Sequence, residues 1–383
     1  DGLVYPDRRP HTGLLEFKNI YRPARVTHYD QSTGTLTLHN YMDFVDLTDY
    51  ATLSYELNCD GQVVSAGSVP FPGGFRLPPH ADGTLPLPLD VPAKGKCFVN
   101  ICYHCKQDSA LIKADHLLGF DEIPLQNSDP RNQDAVQLLG RPAGDGLITI
   151  RETDRMLVLS CEQFTYVFNK LTGLFDKMTF ANEPLLDQPM GFNVWRAPTD
   201  NDRKLKADWY AAHYDHAATN AYHTEYTVTA SGVTLHTHVG IAAICVQKFL
   251  DLDVTWTVAN NGSVDLALHA QRNTVFPELP RFGLRLFLPQ EMSQVNYYGM
   301  GPMECYCDKH HAASHNSYTA TVWQLHEDYI RPQENGSHFD CDYVMLAGDA
   351  VRLTAVGTQP FSFNASHYTQ EELTRKAHNY ELE

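Results

Sequence analysis

The chain has 383 residues, more than one hydrophobic core usually serves, so two folded units or one unit with a large sandwich is the expectation. A hydrophobic content of 43% and an aromatic content of 11% fit a globular protein and leave no room for wholesale disorder. Asp and Glu total 46 against 29 Lys and Arg, a formal charge of −17. That field repels phosphate backbones and anionic lipid, which argues against nucleic acid and membrane surfaces as partners, whereas a neutral sugar is compatible with it. No apolar run approaches the roughly 20 residues needed to cross a bilayer. The opening "DGLVYPDRR" has neither an initiator Met nor the basic and apolar regions of a signal peptide, which suggests a fragment.

From the start, "TGLLEFKNIY" places Leu14, Leu15, Phe17 and Ile20 close to helical spacing, and "YRPAR" (Tyr21 to Arg25) ends that helix. Strand patterns follow. "GTLTLHNYM" alternates Leu36 and Leu38 with polar residues, and "ATLSYELNCDGQVVSAG" sets Leu53, Tyr55 and Leu57 on one face before an Asp60-Gly61 hairpin turn. "CFVNICYHC" also reads as a strand. The stretch from Pro124 to Gly146, rich in Pro, Gly, Asn and Asp, is loop-like and is the best linker candidate. It leaves a β-unit of about 100 residues before it, the size of an immunoglobulin-like sandwich.

Beyond residue 142 the pattern stays β. "FLDLDVTWTVANNGSV" alternates Val254, Trp256 and Val258 before an Asn-Asn-Gly turn, and "FGLRLFLP" does the same with Leu284, Leu286 and Leu288. "DWYAAHYDHAA" reads as a short helix, and Thr369 with Glu372 in "TQEELTRKA" as a capping box before another. Short strands with frequent turns argue for antiparallel sandwiches rather than βαβ units.

The nine cysteines are scattered. Cys305 and Cys307, close to His310 and His311, admit a zinc reading, but neither cysteine cluster has paired C-x-x-C spacing, so free thiols of a cytosolic protein are the expectation. Nucleophile-elbow, zincin, phosphate-loop and dinucleotide motifs are missing, and Pro302 disqualifies the G-x-G of "GMGPMECY" as a phosphate cradle. Acidic and amide residues gather in three places: "RAPTDND", "GPMECYCDK" with Glu304 and Asp308, and "RPQENG" with Arg331, Glu334 and Asn335. Carboxylates, Asn and Arg in loops supply the donors and acceptors that sugar hydroxyls want. The same residues also make the ion pairs and Asx turns that merely hold loops in shape.

Together, "WRAPTDND", "FNKLTGLFDKMTF", "YYGMGPMECYCDK" and "FSFNASHYTQEEL" resemble the C-terminal part of family 2 β-galactosidases. "DGLVYPDRRPHTGLLEFKNIYRP" resembles the end of their catalytic (β/α)₈ barrel, and "ADHLLGFDEI" the closing strand of the immunoglobulin-like domain after it. The resemblance implies a barrel tail over residues 1–20, an immunoglobulin-like β-sandwich over 21–126, a linker over 127–141, and a large antiparallel supersandwich, galactose mutarotase-like, over 142–383, with its last strand missing. It implies a cytoplasmic retaining glycosidase whose catalytic Glu pair lies in the barrel, outside this chain. Glu162 in "SCEQF" is then an ordinary strand residue, and no catalytic residue is expected here.

By the same resemblance, Arg196, Asp200, Asn201 and Asp202 fix a loop at the substrate rim, and Asp1 matches a position beside a sodium ion. The parent enzyme is expected to use Mg²⁺ and Na⁺, to act on galactosides and to be a homo-oligomer, while this chain holds no cofactor of its own and packs on the barrel. Cys305, Cys307 and Lys309 depart from the family pattern, and none of Trp195, Trp209, Trp256 and Trp323 matches its substrate-platform Trp. Two other readings remain: a stand-alone carbohydrate-binding or scaffold module, and a mutarotase-like aldose epimerase needing a facing His and Glu.

Overall fold

A computed structural model describes residues 2–382. The first helix, Thr12–Ile20, forms where the spacing predicts it, but its buried residues are Thr12 and Asn19. Phe17 and Ile20 stay partly exposed. What seats the helix is therefore polar. The Asn19 amide donates to the carbonyls of Phe120 (3.1 Å) and His311 (2.6 Å) and accepts from the Phe120 N–H (2.7 Å), so it touches both halves of the chain.

Two sheets follow. One has three strands, with Thr35–Asn40 between Ala24–Asp30 and Asp82–Pro86. The other has four, in the order Gln62–Ser68, Ala51–Cys59, Cys97–Cys105, Leu117–Pro124. Alternation along each strand turns Leu36, Leu38, Leu57, Leu85, Val99 and Ile101 into one shared core, as a two-sheet sandwich requires. Asp60 and Gly61 both have positive φ (51° and 80°), the type I′ geometry that suits a two-residue hairpin.

The stretch read as a loop-like linker holds a helix, Gln133–Leu139. Asn132 caps it through the Ala135 N–H (2.9 Å), and Ala135 packs with Tyr298 and Tyr343. Pro and Gly on either side masked a short helix whose signals were the Asn cap, an acidic first turn and an Ala135–Leu138–Leu139 apolar face.

The remaining residues form antiparallel sheets. A five-stranded sheet running to Thr149–Glu152 at one edge and the four strands Ala218–Thr229, Gly232–Ala242, Leu250–Ala259 and Val264–Arg272 enclose the largest core, with Phe168, Phe175, Trp195, Leu235, Leu252 and Trp256 at its heart. A further four-stranded sheet, ordered Ser314–Thr321, Gln294–Gly301, Ser337–Ala347, Arg352–Asn364, has its own core around Tyr297 and Val344. The molecule is mostly β, as the alternation implied. Glu162 differs from its expectation: it sits on the exposed bend between Met156–Ser160 and Phe164–Asn169, because Cys161 to Gln163 make the connection between those paired strands. All nine cysteines are free thiols.

Candidate functional site

The strand Gln188–Asn193 leads straight into "VWRAPTDND". Asn193 clasps the backbone of Trp195 from both ends of its amide (2.9 and 3.2 Å), which turns the chain out of the sheet. The Trp195 indole donates to the Thr374 hydroxyl (3.1 Å) and packs on Trp209 and Tyr210. Arg196 grips Asp202 with two donors, Nη2 at 2.6 Å and Nε at 3.2 Å, while its guanidinium lies over the Trp209 ring. Asp202 is buried and also accepts from the N–H and hydroxyl of Thr199, closing a capping box on the 3₁₀ turn Asp200–Arg203. A planar fork on a carboxylate fixes orientation as well as distance.

The structure thus joins Arg196 to Asp202 and leaves Asp200 and Asn201 exposed on the turn above them. Asp1 lies outside the described residues.

This motif is stitched to two distant segments. The Ala197 N–H donates to Gln370 Oε1 (2.7 Å) at the start of helix Gln370–Arg375, and the Glu334 N–H donates to the Ala197 carbonyl (3.0 Å). The "RAPTDND" and "RPQENG" loops, separate in sequence, therefore share a backbone bond. Glu334 is 3% exposed and paired with Arg281. Burial pushes its pKa up, and Arg281 and then Arg196 offset part of that rise. Its Oε2 has no hydrogen-bond partner among the described residues.

Glu304, from the third acidic cluster, lies beyond Gly336. Its oxygens accept from Lys309 Nζ (2.6 Å), the Tyr329 hydroxyl (2.6 Å), the Thr12 hydroxyl (2.8 Å) and the Gly336 N–H (2.8 Å). Gly336 has φ 72°, and a Cβ there would meet the Leu325 carbonyl oxygen at 2.6 Å, so only glycine presents that N–H. Burial raises the Glu304 pKa, but Lys309 and these hydrogen bonds outweigh burial and hold the carboxyl below its usual value. The N-terminal segment enters the same network. Tyr5 donates to Glu327, whose pKa burial raises, and His11 packs between Tyr5 and Tyr329.

All three acidic clusters converge, together with four groups that no sequence pattern connects to them: Thr12, Tyr329, Arg281 and Gln370. No local signal could have found them, since Thr12 and Glu304 are 292 positions apart. Chemically the network is an anchor. Glu304 spends its lone pairs on protein donors, and no group of three or more His, Cys, Asp and Glu among the described residues is arranged to hold a metal ion.

The family described as Beta galactosidase small chain matches residues 160–383, more than half of the chain. The chain belongs to that family. Beta-galactosidase, domain 4 matches residues 36–126, the greater part of the first sandwich. Curated relatives agree: the chain is 38% identical over its whole length to a beta-galactosidase of Actinobacillus pleuropneumoniae, of which the match covers 36%. It is 31% identical to one from Staphylococcus xylosus and 28% to one from Vibrio cholerae, again over 100% of this chain and 38% and 36% of theirs. The chain therefore spans little more than a third of the length of the β-galactosidases it matches. Within it, the small-chain match takes in Arg196, Asp202, Glu304 and Glu334, whereas Tyr5 and Thr12, which complete the network, precede both matched ranges.

Proposed function

We propose that this chain is the C-terminal, non-catalytic part of a β-galactosidase that hydrolyses terminal β-D-galactose residues by a retaining mechanism. Such a mechanism uses two carboxyl groups about 5 Å apart, one as nucleophile and one as acid/base. Both lie in the part of a catalytic barrel outside this chain; residues 1–20 are the tail of that barrel, and the supersandwich packs on it. The observation that carries this reading is the Arg196–Asp202 fork, held from below by Glu334 and Gln370 while Asp200 and Asn201 reach solvent. A rim loop needs a rigid base and an exposed tip, and this motif has both. The buried carboxylates support the non-catalytic role: Glu304 accepts from four protein donors, and Glu334 is 3% exposed beside Arg281, so neither presents an oxygen to a sugar. By the same reading Asp1 would be one ligand of a sodium site shared with the barrel. The whole enzyme works in the cytoplasm as a homo-oligomer with Mg²⁺ and Na⁺.

The test is complementation. The purified chain is mixed with a separately expressed barrel portion, with Mg²⁺ and Na⁺ present, and cleavage of a chromogenic β-galactoside is followed across size-exclusion fractions. Activity that co-elutes with both pieces supports the proposal, and pieces that elute apart and stay inactive contradict it.

A further inference from the structure

Trp195, Trp209 and Trp256 are buried, but Trp323 is 56% exposed. It sits on the one-turn helix Val322–Leu325, whose entry is fixed by a capping box between Thr321 and Gln324 (3.2 and 2.7 Å). Val322 and Leu325 point into the core of the adjoining sheet, so the indole between them is carried outward. It is not left loose there. The His367 ring lies 4.5 Å from it at a 35° tilt, and Tyr368 meets it edge-on at 5.9 Å. His326 braces the far side of Tyr368 at 5.3 Å. Burial lowers the pKa of His367, which keeps a neutral ring against the indole. Burial raises the Tyr368 pKa, with Glu372 and Asp328 adding to the rise, so its hydroxyl keeps its proton.

We propose that Trp323, His367 and Tyr368 form a stacking platform for a neutral hexopyranose, a second sugar-binding surface next to the Arg196 motif. A pinned, solvent-facing indole loses little side-chain entropy when a flat ligand settles on it. A pyranose brings an apolar C–H face for the indole and hydroxyls for the Tyr368 hydroxyl and nearby carboxylates. Those carboxylates and the net charge of −17 disfavour anions, and a purely apolar ligand would leave the polar groups unused. The platform is also wired to the rim. Two residues after Tyr368, Gln370 opens the helix that holds Ala197 and, through Thr374, Trp195. The choice of a sugar rests on the β-galactosidase reading above.

The test is titration of the full chain with methyl β-D-galactopyranoside and lactose, up to about 100 mM, a range that reaches well past a Kd of about 1 mM. Tryptophan fluorescence is read with acrylamide, which reaches the exposed indole first. Sugar is expected to shift the emission to the blue and shield one tryptophan from quenching. Trp323→Ala should abolish both effects, and His367→Ala should weaken binding about tenfold by freeing the indole. Circular dichroism checks that both variants fold. Shielding that survives Trp323→Ala, or that glycerol at equal concentration reproduces, overturns the platform, as does no shielding at all. The complementation assay separates the two claims. A chain that gains activity with the barrel but shows no shielding loses the platform and keeps the component role. A chain that shows shielding but fails to complement keeps the platform and loses that role.

Discussion

The sandwich of residues 24–126 and the network around Glu304 are both built on buried groups, yet they are held by different physics. In the sandwich, Leu57, Val99 and Ile101 contribute in proportion to the apolar area they remove from water, and any side chain of similar volume does nearly as well. Around Glu304 each donor has a fixed position, and Lys309 Nζ is shared between Glu304 (2.6 Å) and the Thr12 hydroxyl (3.1 Å). A buried ionic network is not in itself a source of stability, but it is intolerant of losing a member, because the remaining charge is then stranded. A core of the first kind specifies that a unit folds. A network of the second kind specifies which loops meet, and here it gathers segments from residues 5, 12, 304, 327, 329 and 336.

Near-isosteric substitutions test that contrast most sharply. Glu304→Gln keeps the volume but strands Lys309 and puts an amide among donors, so denaturant unfolding should show a loss of about 3 kcal/mol, the lower end for a broken buried pair because Lys309 is partly exposed. Arg196→Lys keeps the charge but not the fork on Asp202. A loss of about 1.5–2 kcal/mol is expected, with hydrogen–deuterium exchange rising first at residues 197–203. Ile101→Val in the sandwich should cost only about 1 kcal/mol and leave exchange elsewhere unchanged. If Glu304→Gln proved as mild as Ile101→Val, the network would be ornamental and the contrast would collapse.

A smaller effect concerns pH. His315 joins the sandwich to the strand Ser337–Ala347: its Nδ1 faces Glu122 of the sandwich (2.6 Å), its Nε2 faces Asp340 (2.7 Å), and its ring stacks on Phe98 at 4.2 Å. Burial pulls its pKa down, but the hydrogen bonds of Asp340 and Glu122 overcome burial and raise it, with Lys96 nearby opposing them. A raised histidine stabilises fully below its unfolded value of about 6.5 and loses that contribution as pH rises through the folded value. The bond to His315 lowers the Asp340 pKa, so its contribution is present above the ordinary aspartate value and fades as pH falls through the lowered one. Melting temperature should therefore decline on the alkaline side, and His315→Gln should flatten that decline while leaving the acid limb governed by other carboxylates.

How much of this was legible follows the same division. Strand alternation announced the sandwich, and "DG" its hairpin, because period 2 and turn chemistry are local. The Arg196–Asp202 pair was within reach of sequence reading, being six residues apart in one motif. The helix at Gln133–Leu139 was hidden by its Pro- and Gly-rich surroundings. The partners of Glu304 and Glu334 were not legible at all: Thr12, Tyr329 and Arg281 carry no pattern that ties them to a carboxylate far along the chain, and only the packing of sheets brings them together.

On the proposed function, Asp202, Glu304 and Glu334 hold the fold together and do not react with sugar. The most direct test is a long-incubation assay of the purified chain alone on a chromogenic β-galactoside, with Mg²⁺ and Na⁺ supplied. Release no faster than the buffer blank is expected. Turnover that persists through purification and disappears in Glu334→Gln would contradict it, because that carboxyl would then be reacting with sugar rather than holding Arg281.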